Sequence, residues 1–191
     1  MDELIAQTRA ALNTNLYYLS LFSALTVPDI CGALDSQDGV ATGARYRGWY
    51  RTHVLPRFNT LSPEECYRYR CTALHQGRSE PSQSVDYDRV IFIEPAAAQR
   101  IQINVKRMTA GKDTASMIHL RDFVTAIADA ADAWLAHIRG TEPFDTNYRR
   151  FMHRHPTGFK PFVSGPPIIT DQTQLSAAAN HSMAEKLESV N

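Results

Sequence analysis

Net charge is the first thing this sequence lacks. Twenty Lys and Arg stand against twenty Asp and Glu, so no broad cationic surface is left to coat a phosphate backbone, and any nucleic-acid site must be compact and local. Cysteine is scarce: Cys31, Cys66 and Cys71 are an odd number without framework spacing, which excludes a disulfide scaffold and fits the reduced thiols of a cytosol. No run approaches the ~20 apolar residues of a spanning helix, and Met1-Asp2-Glu3 sets no basic segment ahead of an apolar one. The expectation is a soluble, cytoplasmic protein with no membrane partner. The glycines form no phosphate-cradling loop, which disfavours an ATP or dinucleotide enzyme.

What is present is helical patterning. Leu12, Leu16, Leu19 and Phe22 recur at three- and four-residue steps and predict one long amphipathic helix from Asp2 to about Thr26, ended or kinked by Pro28, with a short turn over Ile30 to Leu34. A second helix is expected from about Ala44 to Val54, closed by Pro56. Ser62-Pro63-Glu64-Glu65 is a capping box with proline at the first helical position, and Gly77 is a natural stop, so Pro63 to Gln76 is a third helix. Val85 to Glu94 and Arg100 to Arg107 are rich in β-branched residues and predict a β-hairpin. Leu120, Phe123, Val124, Ile127, Ala131, Trp134, Leu135 and Ile138 then form one stripe of a long helix that stops at Gly140. Five of the ten prolines follow (Pro143, Pro156, Pro161, Pro166, Pro167). The expected fold is mainly α: a bundle of about four helices over residues 1–140 with a β-hairpin inserted at about 85–107. An irregular, Pro-rich C-terminal segment over 141–191 completes it, with a short helix expected from Leu175 to Val190.

One residue is out of place in this pattern. On a wheel at 100° per residue, Cys66, Tyr67, Tyr69, Cys71, Ala73 and Leu74 share a broad arc with Arg70 in its middle, while Arg68, Thr72 and His75 lie on the polar side or its edge. A guanidinium in an apolar stripe must be paired or face an anion, because it cannot lose its proton. Either Arg70 forms a structural ion pair with a carboxylate such as Asp29 or Asp122, or Arg70 and His75 border a cleft for a phosphate.

The segment Arg70-Cys71-Thr72-Ala73-Leu74-His75-Gln76-Gly77 resembles the Arg, four to six residues, His motif of the HEPN (higher eukaryotes and prokaryotes nucleotide-binding) superfamily, including a glycine shortly after the His. That resemblance implies a small helical bundle, usually dimeric, with metal-independent ribonuclease activity in toxin-antitoxin, CRISPR-linked or other anti-phage settings. It covers the motif helix closely and the bundle loosely. Cys71 stands where active members commonly carry Asn, Asp or His. Gly77 stands where members silenced by a nucleotidyltransferase carry Tyr. By the resemblance His75 acts as general acid or base on the ribose 2′-hydroxyl, Arg70 stabilises phosphoryl charge, and the product is a 2′,3′-cyclic phosphate. Supporting or substrate-binding roles fall to Tyr67, Arg68, Cys71, Gln76, His119 and Asp122. The expected partners are RNA, a second copy in a homodimer, and an antitoxin or defence-system protein, with no cofactor.

Between Arg45 and Arg78, seven arginines face only Glu64 and Glu65, interleaved with Tyr46, Trp49, Tyr50, Tyr67 and Tyr69. That mixture suits phosphate contacts with base stacking, or else rings packed in a core beneath an Arg-rich face. Cys71 and His75 as a Cys-His hydrolase lack a placed third group. Cys66, Cys71 and His75 as metal ligands lack a fourth donor, with Cys66 on another face, so no metal is expected. His153-Arg154-His155 reads as solvent-exposed loop, His119 as a cap, core or cleft residue, and Asp122, Asp129 and Asp132 as the solvated side of the last long helix. Beside the ribonuclease stand a non-catalytic HEPN-like module binding a protein, nucleotide or RNA, and an RNA-binding regulator without cleavage.

Overall fold

The structure, a computed structural model, describes residues 1–80, 87–98 and 107–173. It is mainly helical with a few short strands, and it divides into two compact units, Met1–Phe144 and Asp145–Asn191. The second half of the expected hairpin, residues 100–106, and the expected helix from Leu175 to Val190 lie outside the described residues.

The predicted first helix is two helices, α1 (Asp2–Asn13) and α2 (Tyr17–Leu34). Asn15 breaks them apart in the left-handed region at φ 63°, with the Leu16 amide donating to the Ala11 carbonyl at 2.8 Å, the six-to-one closure that ends helices. The break changes the face: Leu12 is buried, but Leu16 and Leu19 are exposed. Pro28 does not end α2, which runs through it. Leu25, Val27, Pro28 itself and Cys31 are all buried, and their packing outweighs the ~3 kcal/mol that an interior proline costs. Apolar nearly all round and half-buried, α2 is long and apolar enough by composition alone to cross a membrane; a buried core helix meets the same description.

The second predicted helix is α3 (Gly43–Trp49), capped by the Thr42 hydroxyl and continued by one π-helical turn over Tyr50–Val54. Next come α4 (Pro63–Gln76), β1 (Arg89–Ile93), a single turn α5 (Pro95–Ala98), β2 (Arg107–Ala110), β3 (Asp113–His119) and α6 (Leu120–Ile138). Among the described residues β1 pairs with β3, in parallel, and β2 pairs antiparallel with β3 in the order β1-β3-β2. The hairpin thus seen is β2–β3, turning at Gly111 with φ 65°. The expected stripe of α6 is buried from Leu120 to Leu135. It packs on α1 and α2, with Phe123 edge-on to Phe58 and tilted on Phe92. Asp129 and Asp132, expected to be merely solvated, both hold Arg9 of α1, at 2.5 and 2.7 Å.

The second unit is not wholly irregular. Most of α7 (Phe144–Tyr148) belongs to it, and two antiparallel ribbons follow: β4 (His153–His155) with β7 (Ile168–Thr170), and β5 (Gly158–Phe159) with β6 (Val163–Ser164).

Candidate active site

The site is built on α4, and its ends are set by the residues that the sequence pattern indicated. The Ser62 hydroxyl accepts from the Glu65 amide at 3.2 Å, and the Glu65 carboxylate accepts from the Ser62 amide at 2.7 Å. Gly77 closes the other end in the left-handed conformation, which costs glycine little. The buried face of α4 is Pro63, Cys66, Tyr69, Thr72 and Ala73. Thr72, expected on the polar side, is inside because its hydroxyl donates locally to the Tyr69 carbonyl at 3.0 Å. Arg70 therefore sits at a half-buried edge of α4 rather than in the middle of its apolar face.

That edge faces α2. The Arg70 Nε lies 2.6 Å from the Asp29 Oδ2, with the two side chains 20% and 12% exposed. Both atoms of this contact are shielded from solvent. The other end of the same guanidinium meets His75, Nη1 to Nε2, at 3.2 Å. An arginine can only donate, so a hydrogen bond across this contact uses the Nε2 lone pair of His75 as its acceptor. Helical geometry alone puts five-residue neighbours well apart around the axis; the length of the Arg70 side chain closes the gap, and Asp29 holds it. Burial pushes the Asp29 carboxyl above the ordinary carboxylate range, against the pull of Arg70 and then of His75. Burial also works against the Arg70 charge, but Asp29 and the Cys71 thiol more than offset it. Both directions follow from Asp29 being the more buried partner.

Around this trio, burial followed by the neighbouring Cys71 thiol raises the Tyr67 pKa. Tyr67 lies so close to Gly43 that an added Cβ there would meet its ring at 2.6 Å, and Arg47 stacks over it at 5.2 Å. Gln76 is exposed on the last turn of α4. Arg68 acts on a different neighbour, Tyr87. His119 and Asp122 line a separate cleft of about 450 Å³ with Asn15, Tyr17 and Arg121, and Arg70 is served by Asp29 instead. Asp29 was legible from sequence only as one of two carboxylates able to neutralise Arg70.

The stacking surface expected between Arg45 and Arg78 is mostly core. Tyr46 and Tyr50 are wholly buried, Trp49 and Tyr69 nearly so, and Tyr46 bonds to the Cys66 thiol. Arg45 is paired with Asp38 and Arg51 with Glu64, so much of that excess charge is already offset. All three cysteines are free. Among the described residues no group of three His, Cys, Asp or Glu is arranged to hold a metal ion.

Chemically, the trio sets a guanidinium able to meet a phosphoryl oxygen beside an imidazole nitrogen able to exchange a proton. A half-buried carboxylate orients the pair. No family model, curated protein or solved structure matches this chain.

Proposed function

We propose that the chain is a metal-independent endoribonuclease of HEPN type, with Asp29, Arg70 and His75 as its site. One observation carries this reading: a single guanidinium touches both a half-buried carboxylate and an imidazole nitrogen at a solvent-facing edge.

In the proposed reaction Nε2 of His75 takes the proton of a ribose 2′-hydroxyl as that oxygen attacks the adjacent phosphorus. Arg70 stabilises the charge growing on the non-bridging oxygens. The bond to the 5′-oxygen breaks, that oxygen is protonated, and a 2′,3′-cyclic phosphate and a 5′-hydroxyl result. The protonating group is the partner's His75 in a homodimer whose two copies share one cleft; exposed Leu16, Tyr18 and Leu19 on and beside α2, the helix that carries Asp29, offer apolar surface for the second copy. A cytoplasmic defence or toxin-antitoxin setting, and with it an antitoxin or defence-system partner, follows from the motif resemblance alone.

A second reading keeps the bundle and drops the chemistry. Its support is that the ion pair lies within one protomer and neutralises Arg70, as a helical interaction module would use it. The test is cleavage of single-stranded RNA in EDTA: the wild type cuts to cyclic-phosphate ends, and Arg70→Ala and His75→Ala each lower the rate by about a hundredfold or more. Equal cutting by both variants, or none by the wild type, leaves the module.

A further inference from the structure

Helix α3 meets α4 through Gly43 and Arg47, one turn apart on a single face. Gly43 admits the tip of the Tyr67 side chain: a Cβ there would lie 2.6 Å from its Cζ and 2.7 Å from its hydroxyl oxygen. Arg47 lies over the same ring, its guanidinium carbon 5.2 Å from the centroid. Tyr46, wholly buried, packs tilted on Tyr67 with the centroids 5.3 Å apart. The Tyr67 ring is therefore held from several sides, while both it and Arg47 stay half-buried rather than inside.

Charge and place both set Arg47 apart from the arginines around it. Arg45 holds Asp38 and Arg51 holds Glu64, so carboxylates are within reach of this helix, yet no ion pair engages Arg47 among the described residues. Stacking occupies the flat face of a guanidinium and leaves its edge of N–H donors open. As for place, Tyr67, Arg70 and Cys71 stand three and four residues apart on one face of α4, and Arg70 and Asp29 both act on the Tyr67 hydroxyl. A second guanidinium, with its donors uncommitted, thus lies on the ring that borders the trio.

We propose that Arg47 is a second phosphate subsite: its forked edge takes the phosphate next to the scissile one, and Tyr67 positions it by stacking. The choice of RNA rests on the ribonuclease reading; the open donor edge does not. Holding the backbone at neighbouring phosphates fixes the register of the strand, and with it the place of the 2′-hydroxyl against His75. An acidic peptide would offer carboxylates to the same fork, and the test separates the two.

The test measures binding of a short fluorescent oligouridine in EDTA, by anisotropy over a salt series, to the full chain carrying His75→Ala so that the probe stays intact. Adding Arg47→Ala weakens binding by about fivefold or more and flattens the slope of log K against log salt by about 0.7, the share of one phosphate on a single strand. Arg47→Lys restores the slope but not the full affinity, since it keeps the charge and gives up the fork and the stack. Tyr67→Leu, which changes no charge, weakens binding by about threefold, and Tyr67→Phe retains it. Far-UV circular dichroism confirms that each variant is folded. In the active chain the loss from Arg47→Ala falls on KM, and it is larger on UpUpU, which has a phosphate beside the scissile one, than on UpU, which has none. Unchanged oligouridine binding by the Arg47→Ala chain at every salt overturns the proposal. So does poly-glutamate binding that depends on Arg47 while oligouridine binding does not. Absence of any oligouridine binding removes the subsite and the ribonuclease together. Binding that depends on Arg47, found in a protein that never cuts RNA, leaves the phosphate contact standing and removes only the ribonuclease.

Discussion

Asp29 separates the catalytic reading from the structural one. A carboxyl held above its ordinary range keeps its proton in the folded chain at a pH where the unfolded chain has lost it. Its ionisation therefore subtracts from stability as pH rises out of the ordinary carboxylate range. The same carboxylate stabilises the Arg70 charge, so the pair carries one partner shifted against it and one shifted with it. Asp29→Asn is expected to destabilise the chain in urea at neutral pH, because the half-buried Arg70 guanidinium loses its carboxylate, and the deficit relative to wild type should shrink as pH rises through that window. RNA cutting should also fall about tenfold or more, because the guanidinium loses its hold. A variant that unfolds readily but cuts normally would mark Asp29 as structural. At this scale the sequence was readable where partners are local: Ser62 and Glu65 could be paired by spacing alone. It was not readable where the partner comes from another helix, so Arg70 was left with two candidate carboxylates. Thr72 misled because a threonine can satisfy its own hydroxyl within the helix and then pack as an apolar residue.

Elements follow the same rule with different forces. The stripe of α6 was legible because one buried face with a single period leaves no other reading. The division of α1 from α2 and the passage of α2 through Pro28 were not, since each depends on packing that overrides a local preference. Strand β3 was hidden because its polar Thr114 and Ser116 dilute the alternation, and its pairing with β1 spans more than twenty residues. Two glycines test how closely the helices that position Asp29 are set. A Cβ at Gly32 of α2 would lie 3.0 Å from the Arg45 backbone, whereas one at Gly48 of α3 meets nothing within 4 Å. Gly32→Ala is expected to cost about 1–3 kcal/mol in urea unfolding by forcing α2 and α3 apart. Gly48→Ala should gain about 0.5–1 kcal/mol, because a helical glycine is replaced with no clash. If Gly32→Ala were harmless, α2 and α3 would not be in the close contact on which the site's placement depends.

The whole molecule is divided unequally. Every buried apolar side chain among the described residues lies between Met1 and Phe144; the described residues of the second unit bury only Asn147 and otherwise present their rings and isoleucines partly or fully to solvent. A segment that removes so little apolar surface from water has little to set against the entropy of ordering its backbone, about 1–2 kcal/mol per residue. The two units should therefore differ sharply in autonomy. A chain ending at Phe144 keeps α1 to α6 with their whole core, and is expected to unfold cooperatively in urea with helical circular dichroism intact. The segment from Asp145 to Thr173, made alone, is expected to show no cooperative transition. If the truncated chain fails to fold while the wild type is stable, then the second unit contributes to the core of the first, and its rings are structural cover. If it folds, all the residues of the proposed site are carried by the first unit, and the shortened protein, as a dimer, is expected to cut single-stranded RNA in EDTA with kcat unchanged.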